Sequence, residues 1–149
     1  MTTNKPLISV IMPVYNGGFT IRQAVESVFC QNIPLELLVI DDGSTDQTSE
    51  VLSVYRNRPD FHYLKNPHNI GAAASRNRGV QEAHGQYVAF LDADDWWENG
   101  KLQIQLDTLH ENRSCTLFYR KRTYELRWNS YRQIYPGEGN SLLQGSSET

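Results

Sequence analysis

Three aspartates within four positions are the residues whose types and spacing most clearly permit chemistry. Asp92, Asp94 and Asp95 directly follow the apolar run 87–91. Carboxylates held this close repel one another, so the group is costly unless a divalent cation, a base or a proton relieves the repulsion. Residues two apart point to the same side of an extended strand, which would let Asp92 and Asp94 converge while Asp95 turns away. The pattern predicts a cation site, and the alternative is a solvated turn that caps the next helix.

A second apolar run, 35–40, also ends in carboxylates, at Asp41 and Asp42. In a parallel α/β sheet the carboxyl ends of the strands share one edge, and ligands bind there. We therefore expect the two acidic strand ends to contribute to one site. Around 41–44 the alternative is a strand-to-helix turn in which Asp and Ser side chains satisfy backbone amides, and both interpretations can hold at once.

The surrounding pattern predicts the elements that would position these residues. Short apolar runs predict buried strands, and apolar positions at helical spacing predict the helices between them. The predicted strands are 7–14, 35–40, 61–65 and 87–91. The predicted helices are 20–31, 44–55, 72–84 and 101–111, with a capping box at 44–47 and Gly85 as a left-handed terminator of the third. This alternation predicts an α/β fold with a mostly parallel sheet flanked by helices.

The sequence after about residue 112 differs from the preceding part in composition and periodicity. Strands are predicted at 115–119 and 123–128, and the Gly- and Ser-rich stretch 136–149 is expected to be loose. The basic residues in 113–132 favour either contact with a lipid phosphate or, more simply, a solvated face.

Composition narrows the possible classes of protein. The 149 residues fit one domain, and 39% hydrophobic content is typical of a globular chain. A net charge of −3 makes nucleic acid an unexpected partner. Cys30 and Cys115 form no zinc or disulfide pattern, which favours reduced, cytoplasmic surroundings. The four histidines have no ligand spacing and are interpreted as structural or solvent-facing. Without an apolar signal core or membrane span, any membrane contact is expected to be peripheral, at the inner face.

Four blocks, in order along the chain, resemble the successive signatures of family 2 glycosyltransferases, which have the GT-A fold. They lie at 8–16, at 39–46, at 69–71 with 75–77, and at 90–95. A lone Asp-x-Asp is a weak signal, whereas four ordered blocks at family-like spacing are specific. The resemblance covers about residues 7–112. It implies a nucleotide-sugar-binding GT-A core at 1–112 and a partial acceptor-side segment at 113–149, so that the acceptor region is incomplete.

The resemblance also implies a reaction. A sugar would pass with inversion from a nucleotide-diphosphate sugar, usually a UDP-sugar, to an acceptor in polysaccharide, glycolipid or glycoprotein glycan synthesis. The acceptor would be a sugar, a lipid-linked group or a protein. Negative charge grows on the leaving β-phosphate, and a hard cation such as Mn²⁺ or Mg²⁺ held by oxygen ligands would stabilise it.

Roles for the acidic motif follow from the resemblance, position by position. It implies metal contact by Asp94, support by Asp95, and contact of Asp92 with the ribose hydroxyls or with a water on the metal. Ala93 lies within the same nucleotide-sugar-binding motif.

The resemblance implies a uracil pocket as well. Asp42 matches the aspartate that accepts a hydrogen bond from the uracil ring N–H, a donor that cytosine lacks. Pro13, Val14 and Tyr15 match the segment that lines this pocket, where the tyrosine ring can pack on the base. For Tyr15 the alternative is an ordinary core aromatic.

Two further features have paired interpretations. Arg76 lies near the start of a predicted helix, so its guanidinium could meet the diphosphate, or it could form a surface ion pair. Trp96 and Trp97 follow the acidic motif, where an aromatic face can stack on a sugar, although one of the two is expected in the core.

The catalytic base is the part of the family pattern that we expect to be missing from this chain. Inverting transfer is expected to need a base that takes the proton of the acceptor hydroxyl. In the family that carboxylate comes from a later segment, and Glu138 and Glu148 sit in no recognisable motif, so the base is unknown. The leading hypothesis is a metal-dependent glycosyltransferase, and the alternative is a truncated, non-catalytic remnant that binds nucleotide-sugar. A nucleotidyltransferase would need a basic, Gly-rich phosphate loop after the first strand, whereas 15–18 contains no Lys.

Overall fold

A five-stranded sheet forms the centre of the computed structural model, which describes residues 6–111 and 119–120. The strands are β1 (Ile8–Val14), β2 (Leu35–Asp41), β3 (Phe61–Lys65), β4 (Tyr87–Phe90) and β5 (Tyr119–Arg120). They lie in the order β3-β2-β1-β4-β5. The first four are parallel, and β5 pairs antiparallel with β4. The predicted parallel α/β sheet is confirmed.

A helix follows each of the four parallel strands. The helices are α1 (Ile21–Phe29), α2 (Thr48–Leu52), α3 (Ala72–Glu82) and α4 (Lys101–Glu111), and a 3₁₀ turn at Ser53–Tyr55 extends α2. All seven residues of β1 are buried, as expected for a strand covered on both faces. Within the described residues no helix is both long and apolar enough to cross a membrane.

The sheet order creates a crevice where the winding reverses. The chain builds β2 and β3 outward on one side of β1, and then returns to place β4 on the other side. Ligands of open α/β sheets bind outside the carboxyl ends of the strands at such a reversal. The fold therefore sets the ends of β1, β2 and β4 around one cleft.

Apolar residues fill both faces of the sheet. One cluster joins β1 and β2 to α1, α4 and Trp97, and the other packs Ile11 and Ile40 against Val80 of α3. Gly79 permits that close approach, because a Cβ there would lie 2.5 Å from Cγ2 of Ile11. The position of α3, and of its first residues at the cleft, thus depends on a glycine inside the helix.

The predicted start of α2 is wrong. The helix begins at Thr48 rather than at 44, and its N-cap residue, Gln47, makes no side-chain capping bond. Instead the Asp46 carboxylate accepts hydrogen bonds from the Thr48 N–H (3.0 Å) and the Thr48 hydroxyl (2.5 Å). Ser44 is unavailable as a cap because its hydroxyl accepts the backbone N–H of Asn16.

Gly85 does not terminate α3 in a left-handed conformation, so that prediction is also wrong. The helix ends at Glu82, Ala83 is extended, and Gly85 has no positive φ. Its small size serves close packing, because a Cβ at 85 would lie 2.5 Å from the backbone nitrogen of Ser9. Apart from β5, the predicted strands 115–119 and 123–128, the basic segment 113–132 and the tail 136–149 lie outside the described residues.

Candidate functional site

An open cleft of about 520 Å³ lies at the carboxyl ends of β1, β2 and β4. Its walls come from 13–17 and 20 at the end of β1 and in the loop after it, from 42 after β2, from 69, 71, 72 and 76 around the start of α3, and from 92–94 after β4. Eight of the nine predicted site residues line it, namely Pro13, Val14, Tyr15, Asp42, Arg76, Asp92, Ala93 and Asp94. The ninth, Asp95, is exposed but does not line the cleft.

The acidic motif forms a turn and not an extension of the strand. β4 ends at Phe90, and the Asp95 N–H donates to the Asp92 carbonyl over 3.1 Å. Asp92 and Asp94 both line the cleft, but the turn places them there. The side-chain alternation of a strand, from which their convergence was predicted, is not the cause. In the described part of the chain, no group of three or more His, Cys, Asp or Glu side chains is arranged to hold a metal ion. The acidic turn therefore supplies two carboxylates to the cleft, those of Asp92 and Asp94, and the described residues form no complete cation cage.

Arg76 and Asp92 pair inside the cleft. Nη2 of Arg76 lies 2.5 Å from Oδ1 of Asp92, and their side chains are 26% and 47% exposed. The guanidinium thus offsets part of the charge repulsion in the acidic turn. Arg76 thus forms an ion pair, and the pair lies among the residues that form the cleft, so contact of Arg76 with a diphosphate stays a prediction.

Asp42 is clamped by donors from the loop before α3. It is only 3% exposed, and its Oδ1 accepts from the Asn66 amide (2.7 Å) and the Ile70 N–H (2.9 Å), while Oδ2 accepts from the Gly71 N–H (2.8 Å). Burial acts to raise the pKa of Asp42, but these bonds and the Ser75 hydroxyl outweigh it and hold the pKa below its usual value. Asp42 is therefore a fixed carboxylate that ties the end of β2 to the start of α3.

The neighbouring Asp41 stabilises the turn that follows β2. The fully buried Asp41 accepts the Ser44 N–H at 2.7 Å and the Tyr63 hydroxyl on its other oxygen. Lys65 lies 3.7 Å from that second oxygen and donates to the Ser44 carbonyl. The expectation that Asp and Ser side chains in 41–44 satisfy backbone amides is confirmed for Asp41, Asp42 and Ser44, and Asp42 also lines the cleft.

Asn16 joins the β1–α1 loop to the β2–α2 loop, and the sequence motifs gave it no role in the site. Its backbone adopts φ +52°, and its side-chain oxygen accepts the Thr45 N–H at 2.9 Å. The Gly18 N–H donates to Asp46 of the same facing loop. An Asn placed just before two glycines was the one available signal, since Asn tolerates positive φ better than most residues.

The aromatic residues near the motifs differ in their exposure to solvent. Tyr15 is 52% exposed and lines the cleft, so the alternative of a core aromatic is wrong. Trp97 is buried, and its backbone N–H donates to the Ser27 hydroxyl, whereas Trp96 is exposed. The prediction that one tryptophan belongs to the core is confirmed.

The doubly wound sheet and the cleft at its reversal point define an α/β protein of the Rossmann-like class. The family model described as "Glycosyl transferase family 2" matches residues 9–147, and the chain belongs to this family.

Curated relatives agree with this membership. TuaG of Bacillus subtilis, assigned by name to teichuronic acid biosynthesis, is 43% identical over 121 residues, which cover 80% of this chain and 48% of TuaG. WfgD of Escherichia coli, named as a UDP-Glc:alpha-D-GlcNAc-diphosphoundecaprenol beta-1,3-glucosyltransferase, is 41% identical over 108 residues, 71% of this chain and 42% of WfgD. The chain spans less than half the length of these two relatives.

Solved structures share the architecture. S. aureus TarS 1–349 in complex with UDP-GlcNAc matches 71% of this chain and 32% of its own, with a TM-score of 0.66 and 32% identity. The mannosyltransferase PcManGT from Pyrobaculum calidifontis, in complex with GDP-Man and Mn²⁺, matches 72% of this chain and 33% of its own, with a TM-score of 0.65 and 28% identity. The GT-A fold expected from the motifs is confirmed.

Proposed function

We propose that this chain binds the donor of an inverting, metal-dependent glycosyltransferase that transfers a sugar from a UDP-sugar. The observation that carries the proposal is the cleft itself, in which Asp42, Arg76 and the turn 92–94 meet although they come from three different connections of the sheet. Asp42 can accept a hydrogen bond from a nucleotide base at one end of the cleft. At the other end the Arg76 guanidinium can bind phosphate, and the carboxylates of the turn can bind a metal ion. A nucleotide diphosphate carries the matching base and phosphate groups.

Relatives support the choice of donor and of acceptor class. TarS binds UDP-GlcNAc, the name of WfgD specifies UDP-Glc, and PcManGT binds GDP-Man. Two of these three donors carry uracil, as the resemblance of the motifs implies. WfgD acts on a lipid diphosphate and TuaG is named for a cell-wall polymer, so we propose a lipid-linked or polysaccharide acceptor at the membrane surface.

The uridine would lie between the loop after β1 and the end of β2. Pro13, Val14 and Tyr15 provide the wall, with the half-exposed Tyr15 ring free to pack on the base. Asp42 is ionised and held in place, so it is suited to accept the ring N–H of uracil.

The diphosphate would lie at the other end of the cleft. Arg76, two turns or less from the start of α3, can donate to phosphate oxygens with a forked pair of N–H groups. Asp94 is our choice for metal contact, with Asp95 in support and Asp92 on the ribose or a metal-bound water. Two carboxylates fit Mg²⁺ or Mn²⁺, because such ions commonly take one or two protein carboxylates and complete their shell with phosphate and water. When bound, the ion supplies positive charge beside the leaving group.

Transfer would form a bond from the acceptor oxygen to the anomeric carbon and break the bond from that carbon to the β-phosphate oxygen. The acceptor proton must pass to a base. We assign no such base among residues 6–111. A chain that binds the donor without transferring it is therefore the alternative, and release of UDP from a panel of UDP-sugars in the presence of acceptor lipid separates the two.

Calorimetric titration with UDP, with and without Mn²⁺, tests the donor site. We expect Mn²⁺ to tighten UDP binding by about tenfold or more, and Asp94→Asn to abolish most of that gain, a change of about 1.4 kcal/mol per factor of ten. Asp107→Asn, an identical change on the exposed face of α4, is the matched control and should leave the gain unchanged. Equal UDP affinity with and without the metal would contradict the proposal.

A further inference from the structure

Asn66 is a buried polar residue that no motif explains. It follows β3 directly, is 2% exposed, and does not line the cleft. Its backbone N–H donates to the Asp41 carbonyl at 2.7 Å, so the residue is anchored to the end of β2 before its side chain makes any contact.

The amide group of Asn66 has one permitted orientation. Nδ2 donates to Oδ1 of Asp42 (2.7 Å) and to the Ser75 hydroxyl (2.9 Å), and Oδ1 accepts from Nη1 of Arg78 (2.5 Å). A flipped amide would set its oxygen against the Asp42 carboxylate and its NH₂ group against the Arg78 guanidinium, and both contacts would be repulsive. An anion on one side and a cation on the other therefore fix the group.

This arrangement restricts rotation of the Asp42 carboxylate. Asn66 and Ile70 both donate to Oδ1, while the Gly71 N–H holds Oδ2. The Ile70 and Gly71 donors belong to the loop and the Ser75 donor belongs to α3, whereas Asn66 is bonded to the end of β2 as well as, through Arg78, to α3. Asn66 is thus the contact that relates the carboxylate to the sheet.

We propose that Asn66 is a positioning residue that holds Asp42 in the orientation needed to accept the ring N–H of uracil, and that it thereby sets the preference for uridine over cytidine nucleotides. This rests on the proposed function of the cleft. Uracil presents an N–H where cytosine presents a bare ring nitrogen, so a fixed carboxylate attracts the first base and repels the second. A carboxylate free to turn would relieve that repulsion and lose discrimination.

The test compares UDP and CDP binding, by calorimetry with Mn²⁺, in the full chain and in Asn66→Asp. This substitution keeps the shape but replaces the donating NH₂ group with an oxygen that repels Asp42. We expect the wild-type chain to prefer UDP by about tenfold or more at about pH 7.5, and the variant to bring the two affinities within about threefold. Asn57→Asp, at an exposed position beyond the 3₁₀ turn, is the matched control and should keep the wild-type ratio.

The ratio of the UDP and CDP affinities is a readout that a merely structural role would not move. If Asn66→Asp only distorted the cleft, it would weaken UDP and CDP alike and leave their ratio near the wild-type value. A positioning role predicts instead that UDP binding weakens while CDP binding is kept or tightens. Parallel losses for the two nucleotides would overturn the positioning role.

A second variant covers the case in which Asn66→Asp does not fold. Arg78→Met removes the donor to the Asn66 oxygen from outside the cleft, and we expect the UDP preference to fall by about threefold. A wild-type chain that binds neither nucleotide would overturn the proposed function and this inference together. A wild-type chain that binds UDP and CDP equally, or variants that keep the full preference, would overturn the inference alone.

Discussion

The ion pair between Arg76 and Asp92 places a positive charge in the acidic part of the cleft. Their ion pair is partly exposed, so its contribution to folding stability is expected to be under about 1 kcal/mol. Its value lies in keeping a guanidinium beside the acidic turn. A diphosphate entering the cleft would compete with Asp92 for that guanidinium.

We predict that Arg76→Gln weakens UDP binding by about tenfold and leaves uridine binding unchanged, because a charged hydrogen bond contributes about 1.5–3 kcal/mol and uridine carries no phosphate. Titrations of both ligands measure the effect. Arg58→Gln, which removes the surface pair with Asp60, is the control and should change neither affinity. Parallel losses for UDP and uridine would instead mean that Arg76 shapes the cleft as a whole.

At the scale of elements, the amino-terminal edge of the sheet carries a polar cluster of its own. Buried Glu36 of β2 accepts the Ser9 hydroxyl (2.5 Å) and the His84 N–H (2.6 Å) on one oxygen. Rings of His62 and His84 lie 3.2 and 3.3 Å from the other. The cluster joins β1, β2 and β3 to the end of α3, so His62 and His84 contact a buried carboxylate although both side chains are also exposed to solvent.

This cluster predicts a pH dependence of stability. Burial acts to raise the pKa of Glu36, but hydrogen bonds from Ser9 and His84 outweigh it, so the folded pKa lies below the unfolded value. The stabilisation is therefore fully present above the unfolded pKa of about 4.3 and is lost as the pH falls through the folded pKa.

We expect Glu36→Gln to lower the free energy of unfolding by about 1–3 kcal/mol at neutral pH, and to remove part of its decline below about pH 4.5. Urea denaturation across the acid range measures both effects. Glu82→Gln, at the exposed end of α3, should cost less than about 0.5 kcal/mol. Curves for Glu36→Gln and wild type that run parallel at every pH would contradict this account.

The start of α2 shows why some elements escape prediction. Residues 44–47 read as a capping box, yet the Ser44 hydroxyl and the Asp46 carboxylate bind Asn16 and Gly18 on the facing loop. Local signals assume that a capping side chain is available, and here bonds across 28 positions of sequence occupy it. By contrast, the limits of α4 were predicted at 101–111 because its apolar spacing reflects its own packing.

At the scale of the whole molecule, the cleft lies where the strand order reverses, so a ligand bound there is expected to stabilise the fold as a whole. The cleft takes residues from 13 to 94 and from the ends of three strands, so a bound nucleotide would bridge most of the described fold. A ligand that binds only the folded state stabilises it in proportion to the logarithm of its concentration relative to Kd.

We predict that UDP with Mn²⁺, at about 100 times Kd, stabilises the chain by about 2.7 kcal/mol and raises Tm by about 5–10 °C. Thermal denaturation followed by circular dichroism measures the shift. Asp94→Asn should show a much smaller shift at the same concentrations, and uridine should give little of it. An unchanged Tm at saturating UDP and Mn²⁺ would count against a cleft that spans the fold.

The sequence by itself determined the strand order along the chain, the parallel α/β class and eight of the residues that line the cleft. These follow from signals carried locally, namely runs of buried strand residues, helical spacing and short motifs at strand ends. Apolar periodicity survives folding because each element buries the face that its own residues define.

Only the tertiary structure decided how these residues bond to one another. It formed the turn at 92–95, paired Arg76 with Asp92, and placed the unpredicted Asn66 between Asp42 and Arg78. Asn66 and Asp42 are 24 positions apart, and they meet because β2 and β3 are in register up to Asp41 and Lys65, immediately before them. Hydrogen bonds of this kind depend on angles and distances between separate loops, and those are set when the sheet assembles.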